Sequence, residues 1–207
     1  PGYGDTIAMA ASVAARFGQP MTRGYDLGCS LGSTLLSMAS AAPASMTWTG
    51  VDTSQAMLSR CHDRLTRRLR GPKWALRCEE IQRTSVEDAS LVALNFTLQF
   101  VPVDQRLELL ERIAQGLVPG GVLMMSEKLL LDEQRAQGVI SELHLDFKRR
   151  NGYSELEISQ KRTALEDTLI PETESTHHER LQRAGFQWSV TWMRSLNFAS
   201  ILAFRDG

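Results

Sequence analysis

The sequence predicts an α/β fold with a mainly parallel β-sheet. Over residues 24–129, short apolar segments typical of buried strands alternate with amphipathic segments long enough to be helices. Helices between consecutive strands indicate crossover connections, which make the strands parallel and cover both faces of the sheet. A length of 207 residues with 43% hydrophobic residues is enough for one sizeable core. We therefore expect a single domain over residues 1–207.

The first part of the chain predicts a leading helix and two strand-helix units. The helix "GYGDTIAMAASVAARFG" places apolar residues on one face. The first unit is the strand "GYDL", a glycine turn and the helix "STLLSMASAA". The second unit is "MTWTGVDTS" followed by "SQAMLSRCHDRLTRRLR", a helix that Ser54 or Thr53 can cap.

Three further strands and one helix complete the parallel part of the predicted sheet. "WALRCEE" indicates a third strand, and "SLVALNFTLQFV" a fourth that is apolar enough to be buried on both faces. The amphipathic helix "VDQRLELLERIAQGL" ends before Pro119-Gly120-Gly121, and "VLMMSEKL" supplies the fifth strand. The glycines and the proline therefore mark the boundary between helix and strand.

The last third of the chain departs from this alternation. Residues of about 129–183 have only helical patterns, which predicts an inserted helical segment. Two strands follow at 187–193 and 196–204, and the short turn between them predicts antiparallel pairing. The expected architecture is thus a mainly parallel sheet with an antiparallel C-terminal strand and a helical insertion.

Composition and charge exclude several classes of protein. The net charge of -1 lacks the positive field of a protein that grips nucleic acid, so we expect a small-molecule partner and no direct nucleic-acid binding. The basic string "RLTRRLR" at 64–70 suggests tRNA contact or complements the helix dipole, and we favour the dipole. No apolar run reaches the roughly 20 residues of a membrane helix. Because the sequence opens at Pro1, we expect a native segment before it.

The cysteines and histidines indicate neither a disulfide framework nor a metal site. Cys29, Cys61 and Cys78 are an odd number, widely spaced and without a CxxC pair. His177 and His178 are adjacent, so on a helix they point to different faces. We expect a cytoplasmic protein without a bound metal.

The candidate ligand site lies where the predicted strands end. In an open parallel sheet, ligands bind beyond the carboxyl ends of the strands, and the first such end is the loop from Asp26 to Gly32. Gly28 lets the backbone approach a ligand, and the free amides of the next helix favour polar or anionic groups. Ser30 occupies the place of a glycine in GxGxxG, which weakens a pyrophosphate interpretation. An ordinary strand-to-helix turn remains the alternative.

Three later strand ends complete a candidate adenosine site. Asp52 follows the glycine loop at the distance where a carboxylate accepts both ribose hydroxyls, although it can also cap the next helix. Glu80 and Ile81 are placed to meet the amino group and the ring of an adenine, although Glu80 can equally be a solvated loop charge. Asn95 interrupts an apolar strand, so its amide needs either a structural partner or a ligand.

The motifs together resemble class I S-adenosylmethionine-dependent methyltransferases. The segment "GLVPGGVLMMSEK" is characteristic of that Rossmann-like fold, and the closing pair of strands resembles its antiparallel edge. The strings "PGY", "YDLGCSLG", "LNFTLQF", "DFKRRNGYSELEISQKR" and "LNFAS" are more specific and resemble the carboxy-S-adenosylmethionine synthase family. The resemblance covers nearly the full length of the chain.

The resemblance implies an activity and its partners. Members of that family convert S-adenosylmethionine and prephenate into carboxy-S-adenosylmethionine and phenylpyruvate. The product serves a partner enzyme that modifies the wobble uridine of tRNA. The resemblance also implies a homodimer.

Carried over position by position, the resemblance implies a set of site residues. Those around the nucleoside and methionine parts of the ligand are Tyr3, Gly28, Cys29, Ser30, Asp52, Thr53, Glu80, Ile81 and Asn95. Two of them depart from the family pattern, with Thr53 where asparagine is usual and Glu80 where aspartate is usual. Both keep hydrogen-bonding capacity, but the longer glutamate alters the reach at position 80.

The resemblance assigns Arg162 to the added carboxylate. A guanidinium offers two parallel donors to a carboxylate and stays protonated. It also disfavours plain S-adenosylmethionine, because a cation would then face a sulfonium cation. From the pattern alone, Lys161 and Arg162 are solvated helix charges. Lys148, Arg149 and Lys161 are candidates for attracting prephenate, a dianion.

Three other functions remain open for this fold. An ordinary methyltransferase would transfer the methyl group to an acceptor and have no use for prephenate. A binding protein would present a nucleoside metabolite to a tRNA-modifying partner. An NAD-dependent oxidoreductase is the weakest alternative, because the dinucleotide loop is absent.

Overall fold

A seven-stranded sheet in the order β3-β2-β1-β4-β5-β7-β6 forms the centre of the protein. The computed structural model describes residues 1–166 and 168–206, and for residues 161, 162 and 164–166 it describes the backbone alone. The strands are Arg23–Leu27 (β1), Thr47–Asp52 (β2), Lys73–Cys78 (β3), Ala89–Asn95 (β4), Leu117–Lys128 (β5), Trp188–Ser195 (β6) and Phe198–Phe204 (β7). The neighbours β1 to β5 pair in parallel, and β7 pairs antiparallel with both β5 and β6. The predicted fold class is confirmed.

Helices cover both faces of this sheet. They are Tyr3–Phe17 (α1), Ser33–Ala41 (α2), Gln55–Arg68 (α3), Arg106–Gly116 (α4), Gln134–Arg150 (α5), Glu155–Glu166 (α6) and Glu174–Arg183 (α7). The first three contribute to a buried cluster around Trp48, and α4 and α7 to a second cluster around Val92. Residues of β4 alternate between the two clusters, which explains why its sequence is almost continuously apolar.

Two predicted strands end earlier than expected. The strand predicted from "WALRCEE" ends at Cys78, and Glu80 lies beyond it, just before a 3-10 turn at Ile81–Arg83. The prediction that the fourth strand continues to Val101 was wrong, because Phe96 turns the chain with φ 58. A second 3-10 turn, Leu98–Phe100, follows and buries Leu98. A buried strand and a buried turn both consist of apolar residues, so the apolar pattern alone did not show where the strand ends and the turn begins.

The fifth strand is longer than expected. Helix α4 ends at Gly116 and β5 begins at Leu117, so Pro119, Gly120 and Gly121 belong to the strand. Its pairing with β4 shifts register between Ala89 and Leu91, and this irregularity accommodates a proline in the sheet.

Three helices, α5 to α7, lie between β5 and β6, within the predicted insertion. Helix α5 contains no buried residue. The segment before α7 is fixed by Glu172, which forms an isolated bridge with Leu129 and an ion pair with the buried Arg106. No helix in the described ranges is long and apolar enough to cross a membrane.

Candidate functional site

The carboxyl ends of four parallel strands meet at one edge of the sheet. The strands β1, β2 and β3 follow one another towards one side of the sheet, whereas β4 and β5 lie on the other side of β1. The strand order thus reverses between β1 and β4, which makes their carboxyl ends a topological switch point. The strands β1 to β4 end at Leu27, Asp52, Cys78 and Asn95. Most of the predicted site residues are at or just after these ends.

The loop after β1 has a backbone that favours glycine. Gly28, Ser30 and Gly32 have φ angles of 83°, 48° and 73°. The amides of Gly28 and Cys29 both donate to the Val51 carbonyl oxygen, at 2.8 and 2.9 Å. A Cβ atom on Gly28 would lie 2.3 Å from Oγ1 of Thr97, so glycine is required for the contact between this loop and the one after β4.

Asp52 connects the glycine loop to the start of α3. Its Oδ2 accepts a hydrogen bond from the Ser30 amide and its Oδ1 one from the Ser54 amide, each at 2.9 Å. The Ser54 hydroxyl caps α3 by accepting from the Met57 amide, which identifies Ser54 as the capping residue. A carboxylate has about four acceptor positions, so Asp52 retains capacity for a ligand's hydroxyl groups.

Three predicted residues flank this centre with different exposures. Thr53 is exposed, and its carbonyl oxygen contacts the Cys78 thiol at 3.5 Å. Glu80 is exposed and forms an ion pair with Arg83 at 3.1 Å. Ile81 is buried, with 7% of its surface exposed, and packs in the core cluster. Glu80 therefore has the environment of a loop charge and Ile81 that of a core residue.

Asn95 has an unsatisfied acceptor at the end of β4. Its Nδ2 donates to Oγ1 of Thr34 at 3.0 Å, which brings α2 to the end of the strand. Its Oδ1 is buried and has no hydrogen-bond partner among the described residues. A buried carbonyl oxygen without a donor costs about 1–3 kcal/mol, so a ligand with an N–H or O–H group would relieve this cost.

Tyr3 and Arg162 come from outside the strand ends. Tyr3 begins α1, is 52% exposed, and lies with its ring centroid 6.0 Å from that of Phe96. The structure thus brings Tyr3 beside the loop after β4. Arg162 belongs to α6, but its side chain lies outside the described part of the structure.

The thiol of Cys29 is not present as a thiolate anion that a ligand could contact. It is buried beside Cys61, and the hydrogen bond between the two thiols, together with burial, raises the pKa of Cys29. Cys29 therefore stays protonated, and its main contribution to the loop is its backbone amide. Within the described ranges, no group of three potential ligands is placed to hold a metal ion.

Two buried carboxyl groups near the site were not predicted from the sequence. Asp26 accepts from the Leu35 amide at 2.9 Å, and burial raises its pKa to about 7. Glu127 accepts from the amides of Leu98 and Gln99 at 2.9 and 3.0 Å, and burial raises its pKa to about 8. A single acidic residue within each apolar strand was the available signal.

Comparison with known sequences gives matches over almost the whole chain. The carboxy-S-adenosyl-L-methionine synthase of Marinobacter nauticus is 47% identical over 207 residues, which cover 100% of this chain and 83% of the relative. The synthase of Geobacter sp. strain M21 is 49% identical, with 99% and 85% covered. A family model described as a methyltransferase domain matches residues 25–121.

Solved structures share the fold at low sequence identity. Magnesium protoporphyrin IX methyltransferase of Synechocystis, solved with bound SAH, superimposes with a TM-score of 0.69 at 16% identity and covers 99% of this chain and 84% of the other. Human N-acetylserotonin methyltransferase in complex with SAM gives 0.64 at 18% identity, covering 99% and 52%. These similarities establish the class I methyltransferase fold.

Proposed function

The chain belongs to the carboxy-S-adenosyl-L-methionine synthase family, and on this premise we propose that it carboxylates S-adenosyl-L-methionine. The observation that carries the proposal is the 47% identity to a synthase over 207 residues. The site supports it, because Asp52 and Asn95 retain acceptors for the hydroxyls and the ammonium of an adenosyl amino acid.

The second substrate in this proposal is prephenate. Loss of carbon dioxide and of the ring hydroxyl, as hydroxide, converts prephenate into phenylpyruvate. The hydroxide takes a proton from the S-methyl group and leaves as water, and the resulting ylide carbon forms a bond to the carbon dioxide. The product carries a carboxylate next to the sulfonium, and the sum of the steps needs no further reactant.

The residues that bind S-adenosyl-L-methionine in this proposal surround the strand ends. The carboxylate of Asp52 accepts from the ribose, and Oδ1 of Asn95 accepts from the methionine ammonium. The remaining residues are Tyr3, Gly28, Cys29, Ser30, Thr53, Glu80 and Ile81. Since Glu80 pairs with Arg83 and Ile81 is buried, adenine binding would require these two side chains to change their contacts.

Arg162 is the residue that separates carboxylation from methyl transfer in this proposal. Its guanidinium would bind the new carboxylate through two parallel hydrogen bonds. It would also discriminate against S-adenosyl-L-methionine, which offers no anion at that position. Arg162 is thus assigned the catalytic and product-binding role.

Mass spectrometry of the ligand retained through purification tests the proposed function. We expect a species heavier than S-adenosyl-L-methionine by the mass of carbon dioxide, and we expect prephenate to convert added S-adenosyl-L-methionine into the same species. Plain S-adenosyl-L-methionine with no conversion on addition of prephenate would contradict the proposal.

A conventional methyltransferase is the second candidate, favoured by the methyltransferase fold of the structural neighbours. It predicts methyl transfer to an acceptor, without a change when prephenate is present. A nucleoside-metabolite binding protein would instead retain a ligand and turn over neither substrate. The same assay separates all three, because each gives a different set of products.

The proposal extends to the cellular setting. The enzyme would act as a cytoplasmic homodimer, with residues 1–207 forming one domain. Its product would be used by a partner enzyme that modifies wobble uridine in tRNA. Sedimentation of the purified protein tests the dimer directly.

A further inference from the structure

Four aromatic rings form a continuous row beside Asn95. The ring centroids of Tyr3 and Phe96 are 6.0 Å apart, those of Phe96 and Phe198 are 5.9 Å apart, and those of Phe198 and His144 are 5.1 Å apart. None of the four is fully buried. This aromatic row joins the start of α1, the loop after β4, the start of β7 and helix α5, and it offers solvent-accessible ring surface next to the candidate ligand site.

Lys128 lies on the same face of the sheet as Asn95. Asn95 pairs with Ser126, whose side chain contacts that of Ser200 across the sheet, and Lys128 pairs with Phe198. Because side chains two residues apart point to one face, Lys128 follows Ser126 on the face of Asn95. Directly opposed residues in antiparallel strands are neighbours, so Lys128 stands beside Phe198 in the aromatic row.

The ammonium of Lys128 has no ion-pair or hydrogen-bond partner within the part of the chain that the structure describes. Its neighbour Glu127 points to the opposite face, where it accepts from the amides of Leu98 and Gln99. A half-buried ammonium without a counterion attracts an anion. Arg149, a cation suggested by the sequence, already pairs with Asp146 and Glu155 at 2.9 and 2.6 Å.

The backbone at Phe96 is held in an unusual conformation. Its φ of 58° lies in the left-handed region, which is unfavourable for a residue with a Cβ atom. The amide of Phe96 donates to the Ser126 carbonyl oxygen at 2.7 Å and fixes this turn. Strain of this kind persists where the surrounding structure imposes it, often at ligand sites. Here the turn places the Phe96 ring between Tyr3 and Phe198.

We propose that Lys128 and the aromatic row bind the carboxyl donor, an anionic acid built on an unsaturated six-membered ring. The ammonium of Lys128 pairs with a carboxylate of the donor, and Phe96 and Phe198 contact its ring. This inference rests on the proposed function and adds a site for its second substrate. Lys128 and Arg162 then bind different carboxylates, that of the donor and that of the product.

Kinetics of a Lys128→Ala variant test the inference, with prephenate as the probe and S-adenosyl-L-methionine saturating. Loss of a charged hydrogen bond predicts a rise in KM for prephenate of about 10- to 100-fold. We expect the Kd of S-adenosyl-L-methionine, measured by calorimetry, to change by less than about twofold. Lys128→Arg should restore most of the affinity. The matched control is Lys73→Ala. Lys73 is exposed and lies on the outermost strand β3, which three strands separate from β5.

An unchanged KM for prephenate, or an equal loss of affinity for both substrates, would overturn the inference and leave the proposed function standing. If the wild-type protein makes no carboxylated product, the proposed function fails instead. Calorimetric titration of prephenate into the wild-type protein and Lys128→Ala still decides the inference in that case. Tighter binding to the wild type supports it, and equal or absent binding refutes it.

The ring contact has a test of its own. Phe198→Leu removes an aromatic ring while it keeps an apolar side chain. We expect it to raise the inhibition constant of phenylpyruvate about 5- to 10-fold and to leave that of pyruvate, which lacks the ring, unchanged. Equal changes for the two acids would exclude a role of the aromatic row in recognising the ring.

Discussion

Two regions of the molecule are held in different ways. One is the end of the sheet that carries Asp52 and Asn95, and the other is the inserted pair of helices α5 and α6. Every residue of β4 before Asn95 is buried. Hydrogen bonds of Asp52 and Gly28 connect the loops at this end of the sheet. Helix α5 has no buried residue, and in α6 Ile158 is the buried residue among the described side chains. The sheet therefore fixes the proposed nucleoside site, whereas the insertion depends on a few contacts with the core.

The buried Arg106 makes several of these contacts between the insertion and the core. Its guanidinium donates to the carbonyl oxygens of Val101, Gln99 and Ile170 at 2.9, 3.1 and 2.9 Å. It also pairs with Glu172, which pairs in turn with Arg180, a buried residue of α7. The segment between α6 and α7 is thereby tied to the loop after β4. Changes at Arg106 should affect the insertion far more than changes on the exposed helices.

The largest expected effect follows from Arg106→Met. The substitution leaves three buried carbonyl oxygens without their donor and removes one of the two arginines that pair with Glu172, which should lower the free energy of unfolding by about 3–5 kcal/mol. Urea unfolding monitored by circular dichroism measures this. Arg67→Met on the exposed face of α3 is the control and should change stability by less than about 0.5 kcal/mol. Equal effects would show that Arg106 is not the anchor.

The next effect concerns the sheet edge. Asp52→Ala removes the acceptor of the Ser30 and Ser54 amides and the proposed acceptor of the ribose. We expect the Kd of S-adenosyl-L-methionine to rise about 100-fold, since two or more hydrogen bonds to a charged group are lost. Isothermal titration calorimetry measures it, with Asp63→Ala on the exposed surface of α3 as the control. A change below fivefold would remove Asp52 from the site.

A smaller, selective effect is expected from the insertion. Arg162→Ala should weaken binding of carboxy-S-adenosyl-L-methionine about 10- to 100-fold, because the added carboxylate loses its donors. It should not weaken binding of S-adenosyl-L-methionine, because the substitution removes a cation that would face the sulfonium. Competition binding with both ligands tests this, and Arg135→Ala on α5 serves as the control. Equal loss for both ligands would refute the proposed role of Arg162.

The last effect is a dependence of stability on pH, to which each single group makes a small contribution. Burial raises the pKa of Asp26 to about 7 and that of Glu127 to about 8, so the folded state holds protons that the unfolded state has released. The unfolding free energy should therefore rise as the pH falls from about 8.5 to about 6.5, by up to about 1.4 kcal/mol per pH unit for each group. The stabilisation is lost again as the pH rises through these pKa values.

Asp26→Asn tests the contribution of one of these groups. It should reduce the rise in stability over the same interval by about 1 kcal/mol, whereas Asp63→Asn should not. Below about pH 6.5 the effect is opposed by His177, because burial lowers its pKa to about 4 and the unfolded state gains protons there. A pH dependence identical in Asp26→Asn and the wild type would contradict the assignment.

The sequence predicted the order of the elements and the glycine loop after β1, because hydrophobic periodicity and glycine turns are local signals. It did not predict where β4 ends, since Leu98 and Val101 are as apolar in a buried turn as in a strand. Nor did it indicate the site that we propose at Lys128. Its position beside Phe198 depends on the pairing of β5 with β7, and Ser126 and Ser200 in that pair are separated by 74 residues. A contact across so many residues leaves no local pattern.

The position of β7 between β5 and β6 has a consequence for how the protein is made. Strand β5 offers an open, apolar edge until β7 pairs with it, and β7 follows the whole insertion in the chain. During translation the ribosome therefore releases α5 to α7 while this edge is uncovered. Exposed strand edges promote aggregation, so nascent chains should depend on chaperones until Phe198–Phe204 has been synthesised.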